Sequence, residues 1–133
     1  MLKNKKILIG VTGGIAAYKI PLLVSALRQK GALVKVMMTK NATRFISPWT
    51  FAVISQDRVI TDMFDHDEPI PHIALSDWAN IVVIAPATAN CIGKVAHGIA
   101  DDLLTTTLMA STSKKVFVPS MNVHMLENPI LQK

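Results

Sequence analysis

Residues 81–85 read Ile-Val-Val-Ile-Ala, five apolar positions in succession. A strand with one face in water alternates apolar and polar residues. A strand without that alternation is covered on both faces, as in a parallel sheet sandwiched between helices. Three other segments suit the same sheet: residues 6–11 (KILIGV), 32–38 (ALVKVMM) and 115–118 (KVFV). Between them, Ile15, Ala16, Ile20, Leu23, Val24 and Leu27 recur at three- and four-residue intervals, which predicts a helix over 15–30 stopped by Gly31. Residues 41–55 read as short helical pieces broken at Ser47-Pro48, because the residue before a proline avoids helical geometry. Residues 57–71, acidic and containing two prolines, read as an exposed loop with one short strand. Helices are expected from 72 to 78, 91 to 98 and 102 to 110. Repeated strand–helix units predict an α/β fold with one domain over residues 1–133, a parallel sheet carrying helices on both faces.

The composition narrows the classes of function. The chain has 133 residues, 50% hydrophobic and only 17% charged, a balance that predicts some surface covered by other subunits. The longest apolar run is interrupted at Pro86, far short of the roughly 20 residues that span a membrane. The basic start at residues 1–6 is followed by a break at Thr12-Gly13-Gly14 and no cleavage site, so a cytoplasmic protein is expected. Cys91 is the single cysteine, which excludes an intrachain disulfide and suits a reducing compartment. Neither it nor the scattered His66, His72, His97 and His124 has zinc-ligand spacing, so no metal is expected. The net charge of +5 comes from dispersed lysines without interleaved aromatics, the pattern of a solvated surface rather than of a nucleic-acid partner.

Ligands in open parallel sheets bind beyond the carboxyl ends of the strands. Four loops belong at that edge. In the first, Gly13-Gly14 precedes a helix whose N–H groups and dipole suit a phosphate. The spacing is not the dinucleotide pattern G-x-G-x-x-G, and Thr39 stands where an acidic residue would close the second strand. A mononucleotide therefore fits better than a dinucleotide, although a glycine turn before a helix can also be only a turn. The second loop runs from Thr39 to Phe45. The third is Pro86-Ala87-Thr88-Ala89-Asn90-Cys91, whose small side chains let a flat ring lie against the backbone; in the plainer reading Thr88 simply caps a helix. The fourth is Pro119-Ser120-Met121-Asn122-Val123-His124-Met125, in which the Asn122 amide can bond a carboxylate and Met125 offers an adaptable apolar wall. Here too the alternative is a capping role for Asn122. His72 alone reads more readily as a capping or surface residue than as a catalytic one, as do His66, His97 and His124, and Cys91 reads as a small residue at a helix start.

Taken in order, these segments resemble the homo-oligomeric flavin-containing cysteine decarboxylases. The matching residues are Gly13-Gly14-Ile15-Ala16, His72 with Ile73 and Leu75, Ala85 to Asn90, Gly98 to Leu104, and Pro119 to Met125, which fits the family's P-x-M-N-x-x-M. The resemblance implies a flavodoxin-like (Rossmann-like) fold that binds FMN at a subunit contact of a homotrimer, with trimers assembling into dodecamers. By position, Gly13, Gly14, Ile15 and Thr39 would hold the FMN phosphate and ribityl chain. Thr88, Ala89, Asn90, Cys91 and Ser120 would line the ring system, with Phe45 nearby. His72 would be the catalytic histidine, and Asn122 with Met125 would grip the substrate's carboxylate region.

The implied chemistry is oxidation of a cysteine side chain to a thioaldehyde, loss of CO2 to an enethiol and, in the coenzyme A branch, return of the electrons. That branch converts 4'-phospho-N-pantothenoylcysteine to 4'-phosphopantetheine, and it is the branch expected here. The alternatives are a peptidyl-cysteine decarboxylase of peptide antibiotic maturation and a non-catalytic relative that binds a protein phosphatase. A flavin prenyltransferase shares the fold but is not expected to carry P-x-M-N-x-x-M. Family members continue beyond the equivalent of Lys133 with a strand, a helix and a cysteine-bearing flap, so the expectation is a domain without that flap.

Overall fold

The computed structural model describes residues 3–61 and 71–119. Strands β1 (Lys6–Val11), β2 (Leu33–Met38), β3 (Val59–Ile60), β4 (Ile81–Ala87) and β5 (Lys114–Pro119) pair in parallel in the order β3-β2-β1-β4-β5. The register aligns Val59, Val36, Ile9, Val83 and Val116 in one row across the sheet. Such β-branched residues pack well on a pleated surface. Parallel pairing needs long crossovers, and helices supply them. Helices α1 (Ile20–Gln29) and α2 (Pro48–Ser55) bridge the first three strands, and α3 (Pro71–Trp78) returns the chain to β4. Helices α4 (Ala89–Ala96) and α5 (Leu103–Ala110) then lead to β5.

Because successive strand residues point to opposite faces, β1 feeds two cores. Ile7, Ile9 and Val11 join Val34, Val36 and Met38 beneath Ile20 and Val24 of α1 and Phe51 of α2. Leu8 joins Met37, Val82 and Ile84 beneath Leu75 of α3 and Leu103, Leu104 and Leu108 of α5. This is the flavodoxin-like arrangement expected from the sequence, with the sheet between two helical layers.

The local boundaries show where single residues decided the outcome. Ser47 caps α2, its hydroxyl accepting from the Trp49 N–H at 3.2 Å, so the break before Pro48 is real. Gly31 ends the α1 crossover with φ of +95°, a conformation that disfavours a side chain. The helix expected from residue 15 begins instead as a 3-10 turn, Ile15–Lys19, and becomes α-helical at Ile20. Pro21 lacks the N–H that would bond back to residue 17, so an α-helix cannot run through that point intact. Only Ala17, Ile20 and Val24 of this stretch are fully buried, whereas Ile15 is 76% exposed. Strand β4 runs two residues further than expected, through Pro86 to Ala87, with a register irregularity against β5 between Ile84 and Ala87.

Candidate active site

The chain enters β1, moves outward to β2 and β3, then crosses back to place β4 on the other side of β1. Loops leaving β1 and β4 diverge at such a switch of direction, and a crevice opens between them. Here the crevice has a volume of about 540 Å³. Thr12, Gly13 and Gly14 after β1, and Thr39, Lys40 and Asn41 after β2, line one side. Thr88, Ala89, Asn90, Cys91 and Lys94 after β4, with Asp101, Asp102 and Thr105 around the start of α5, line the other.

Each wall is held by its own local chemistry. The Gly14 N–H bonds the Thr12 carbonyl at 3.0 Å, and the Ala17 N–H bonds the Gly14 carbonyl at 2.9 Å, tightening the turn after β1. Neither Gly13 nor Gly14 has positive φ, so the pair is not there for a left-handed turn. Gly13 is needed for space instead: a Cβ there would lie 2.6 Å from Asn41 Cβ and 3.0 Å from the Asn41 carbonyl carbon. Thr39 closes the second loop, its hydroxyl and carbonyl oxygens each accepting from the Ala42 N–H at 3.1 Å. Thr88 caps α4 by accepting from the Cys91 N–H at 3.3 Å, so the plainer reading of that threonine holds while it also faces the cleft.

Across the cleft Asp102 caps α5. Its Oδ1 accepts from the Thr105 N–H at 2.8 Å and the Thr105 hydroxyl at 2.6 Å, and the Asp102 N–H donates to that hydroxyl at 3.2 Å. This reciprocal box satisfies two otherwise unbonded N–H groups. Asp101 pairs with Lys94 at 3.1 Å. Both carboxylates on this wall are therefore engaged, which suits an anionic ligand better than a pair of unpartnered acids would. Cys91 is buried, and burial, followed by the negative charge of Asp102, pushes its thiol up to about 11 against a smaller opposing pull from Lys94. It keeps its proton at neutral pH, so it is neither a thiolate nucleophile nor a ready proton donor.

Of the residues that the sequence nominated, Gly13, Gly14, Thr39, Thr88, Ala89, Asn90 and Cys91 meet in this one cleft. Ile15 and Phe45 do not line it; both are exposed, at 76% and 47%. His72 belongs to α3, the helix that leads into β4, and no α3 residue is among the described residues that line the cleft. Ser120, Asn122 and Met125, and the side chain of His72, lie outside the described residues. The sequence placed Thr12, Lys40 and Asn41 within the edge loops without assigning them a role, and it missed Lys94 and Thr105 as lining residues. Asp101 and Asp102 were seen only as part of a motif. Thr12 carried the one usable signal, a hydroxyl directly after a buried strand. Among the described residues no cluster of His, Cys, Asp or Glu could hold a metal ion, and no helix is long and apolar enough to cross a membrane.

The geometry agrees with known proteins. The bifunctional coenzyme A biosynthesis protein CoaBC of Bacillus subtilis (strain 168) is 52% identical over 135 residues, covering 100% of this chain and 33% of its own length. The chain thus spans about a third of the curated relatives it matches. Among solved structures, the FMN-dependent cysteine decarboxylase SpaF superposes with a TM-score of 0.92 at 36% identity, over 99% of this chain and 77% of its own. A PPC decarboxylase mutant complexed with pantothenoylaminoethenethiol superposes with a TM-score of 0.83 at 29% identity, over 98% of this chain and 74% of its own. The Flavoprotein family model matches residues 1–133, and with a cleft at the strand switch where such a cofactor would sit, the chain belongs to the Flavoprotein family.

Proposed function

We propose that this chain is the FMN-binding decarboxylase part of a coenzyme A biosynthetic protein, acting on 4'-phospho-N-pantothenoylcysteine to give 4'-phosphopantetheine. The observation that carries the reading is the convergence of Gly13, Gly14, Thr39 and residues 88–91 on one cleft, in a chain 52% identical to a CoaBC protein. The residues present fit the cofactor. Small side chains at Gly14 and Ala89 leave the wall flat, and Thr39, Lys40 and Asn41 supply hydroxyl, ammonium and amide donors for a phosphate. The volume of about 540 Å³ falls in the range of ordinary cofactor clefts.

The flavin, when bound, supplies the two-electron acceptor that lets the substrate's cysteine become a thioaldehyde. The chain's own residues do the rest. Gly13, Gly14 and Thr39 bind the phosphate and ribityl end, and Thr88, Ala89, Asn90, Cys91 and Ser120 border the ring; Ile15 and Phe45 lie outside the cleft and take no part in this reading. His72 takes a proton from the substrate as it is oxidised. Asn122 orients the carboxylate through directional hydrogen bonds, and Met125 forms the apolar wall beside it. The domain itself is proposed to need the family's cysteine-bearing flap for the final reduction, since Cys91 is buried and protonated.

Assembly into a trimer or a dodecamer is part of the same proposal. Ile15, Tyr18 and Leu22 form one exposed apolar stripe, and Trp49 and Val53 form another on the adjoining α2. Large exposed apolar groups in this arrangement suit a subunit contact. A cytoplasmic location suits the free Cys91.

The decisive experiment incubates the full-length, FMN-loaded protein with phosphopantothenoylcysteine and, separately, with a peptide ending in cysteine, and weighs the products. Loss of CO2 from the first substrate is expected. The likeness to SpaF favours a second reading, a decarboxylase of other cysteine-ending substrates. Turnover of the peptide alone would move the assignment there, and turnover of neither would end both.

A further inference from the structure

Thr12 is 1% exposed and sits at the end of β1, yet its hydrogen bonds leave the strand. Its hydroxyl donates to the carbonyl of Pro86 and accepts from the Thr88 N–H at 3.1 Å. Both partners lie in the loop after β4, more than 70 residues away in the chain. One hydroxyl thus satisfies a buried carbonyl and an N–H on either side of Ala87. These are the backbone groups that set the path of the chain into Thr88, Ala89 and Asn90. Among the described residues no other hydrogen bond links the turn after β1 to this loop: the Gly14 N–H bonds locally to Thr12, and the Gly13 side faces Asn41.

We propose that Thr12 is a positioning residue for the cofactor: its hydroxyl fixes the Thr88–Asn90 wall of the cleft at the spacing a flavin ring requires. The inference rests on the FMN reading given above. Three features argue for a hydroxyl specifically rather than for packing. First, the partners are one acceptor and one donor, and only a group that both donates and accepts can serve both. Second, the hydroxyl itself and its bond to Pro86 are buried and the bond from Thr88 is partly so, which leaves water little access to replace them while the loop stays closed. Third, the wall that they hold is built of small residues whose shape comes from the backbone rather than from side-chain bulk. Valine has nearly the same shape as threonine but leaves both backbone groups unpaired; serine keeps the hydroxyl and loses only a methyl.

The test compares Thr12→Val and Thr12→Ser with wild type in the full-length protein, stripped of flavin. FMN affinity is read by quenching of flavin fluorescence, loop order by amide hydrogen exchange across residues 86–91, and fold by circular dichroism and melting temperature. Thr12→Ser is expected to bind FMN within about threefold of wild type, and Thr12→Val to bind roughly tenfold or more weakly, with faster exchange at Thr88. If Thr12→Val binds as tightly as wild type, or if Thr12→Ser weakens binding as much as Thr12→Val, the hydroxyl does not position the wall. Should Thr12→Val fail to fold, the serine variant decides alone: FMN binding within about threefold of wild type supports the role of the hydroxyl, and binding weakened about tenfold or more overturns it. Failure of wild-type protein to take up FMN would instead strike the flavin reading. The exchange data would then judge Thr12 separately, and unchanged protection at Thr88 in Thr12→Val would overturn its role.

Discussion

Gly13 and Asn41 pack against each other on one wall of the cleft, so close that a Cβ on Gly13 would lie 2.6 Å from that of Asn41. Gly14, next in the chain, would place a Cβ at an ordinary 3.4 Å from Thr88 Cγ2. Its backbone is extended, with φ of −134°, which any residue adopts. The two glycines therefore do different things. Gly13→Ala should destabilise the protein by about 1–3 kcal/mol, since the Asn41 backbone must move. Gly14→Ala should stay within about 1 kcal/mol of wild type. Gly14→Val should leave the fold intact while weakening FMN binding, because its branches project toward the cleft. Urea unfolding and flavin titration separate the two effects; equal loss of stability at both positions would contradict this division.

Cys91 should be silent toward thiol reagents in the native protein at pH 8 and react once the chain is denatured. The residue is 4% exposed, and its thiol is raised to about 11 from an ordinary 9.0. The unfolded thiol therefore ionises first as pH rises. Its contribution to stability is complete below about pH 9 and lost between about 9 and 11. Alkylation followed by mass spectrometry across that range would check the order, and rapid native labelling at pH 8 would refute it.

The Asp102 box couples that thiol to the start of α5. Asp102→Ala should cost about 1 kcal/mol through the lost cap. Asp102→Asn keeps an acceptor for the Thr105 N–H and should cost less, yet it removes the charge that helps to raise Cys91. The Asn variant should thus show alkylation of Cys91 beginning at lower pH than wild type. An unchanged onset would mean that burial alone accounts for the thiol's behaviour.

His72 and Asn122 are expected to separate binding from chemistry. His72→Asn should stay yellow and assembled while slowing anaerobic bleaching of the flavin by substrate about a hundredfold or more. Asn122→Asp should keep its flavin but bind substrate poorly, because the new carboxylate repels the substrate's own. Bleaching at the wild-type rate in His72→Asn would return that histidine to a capping role.

Leu22 and Trp49, 76% and 78% exposed, should be covered in the assembled protein. Light scattering should report a mass divisible by three subunits, and the pair of changes Leu22→Asp and Trp49→Asp should lower it. A stable monomer that retains flavin would defeat the proposal of assembly.

Much of the fold was legible because single residues decide local events. Gly31, Ser47-Pro48 and the unbroken apolar run in β4 each act through their own stereochemistry or solvation. Residues 15–30 show where that reading stops. They carry two apolar stripes, one through Ala17, Ile20 and Val24 and another through Ile15, Tyr18 and Leu22, and spacing alone cannot say which one meets the sheet. Ile15 was placed with the first and belongs to the second. Pro21 was visible, but periodicity does not register a missing N–H.

The sequence by itself determined which segments are strands and helices and that the central strands β1, β2 and β4 are covered on both faces, whereas the edge strand β5 stays largely open. Those outcomes depend on neighbours a few residues apart. The tertiary structure alone decided that Gly13 abuts Asn41, that Asp102 faces Cys91, and that Thr12 bonds Pro86 and Thr88. The Thr12 contacts exist because the crossover through α3 sets β4 beside β1 rather than beside β3. Strand order reflects how two helical layers pack on one sheet, a property of the whole chain that no local pattern contains.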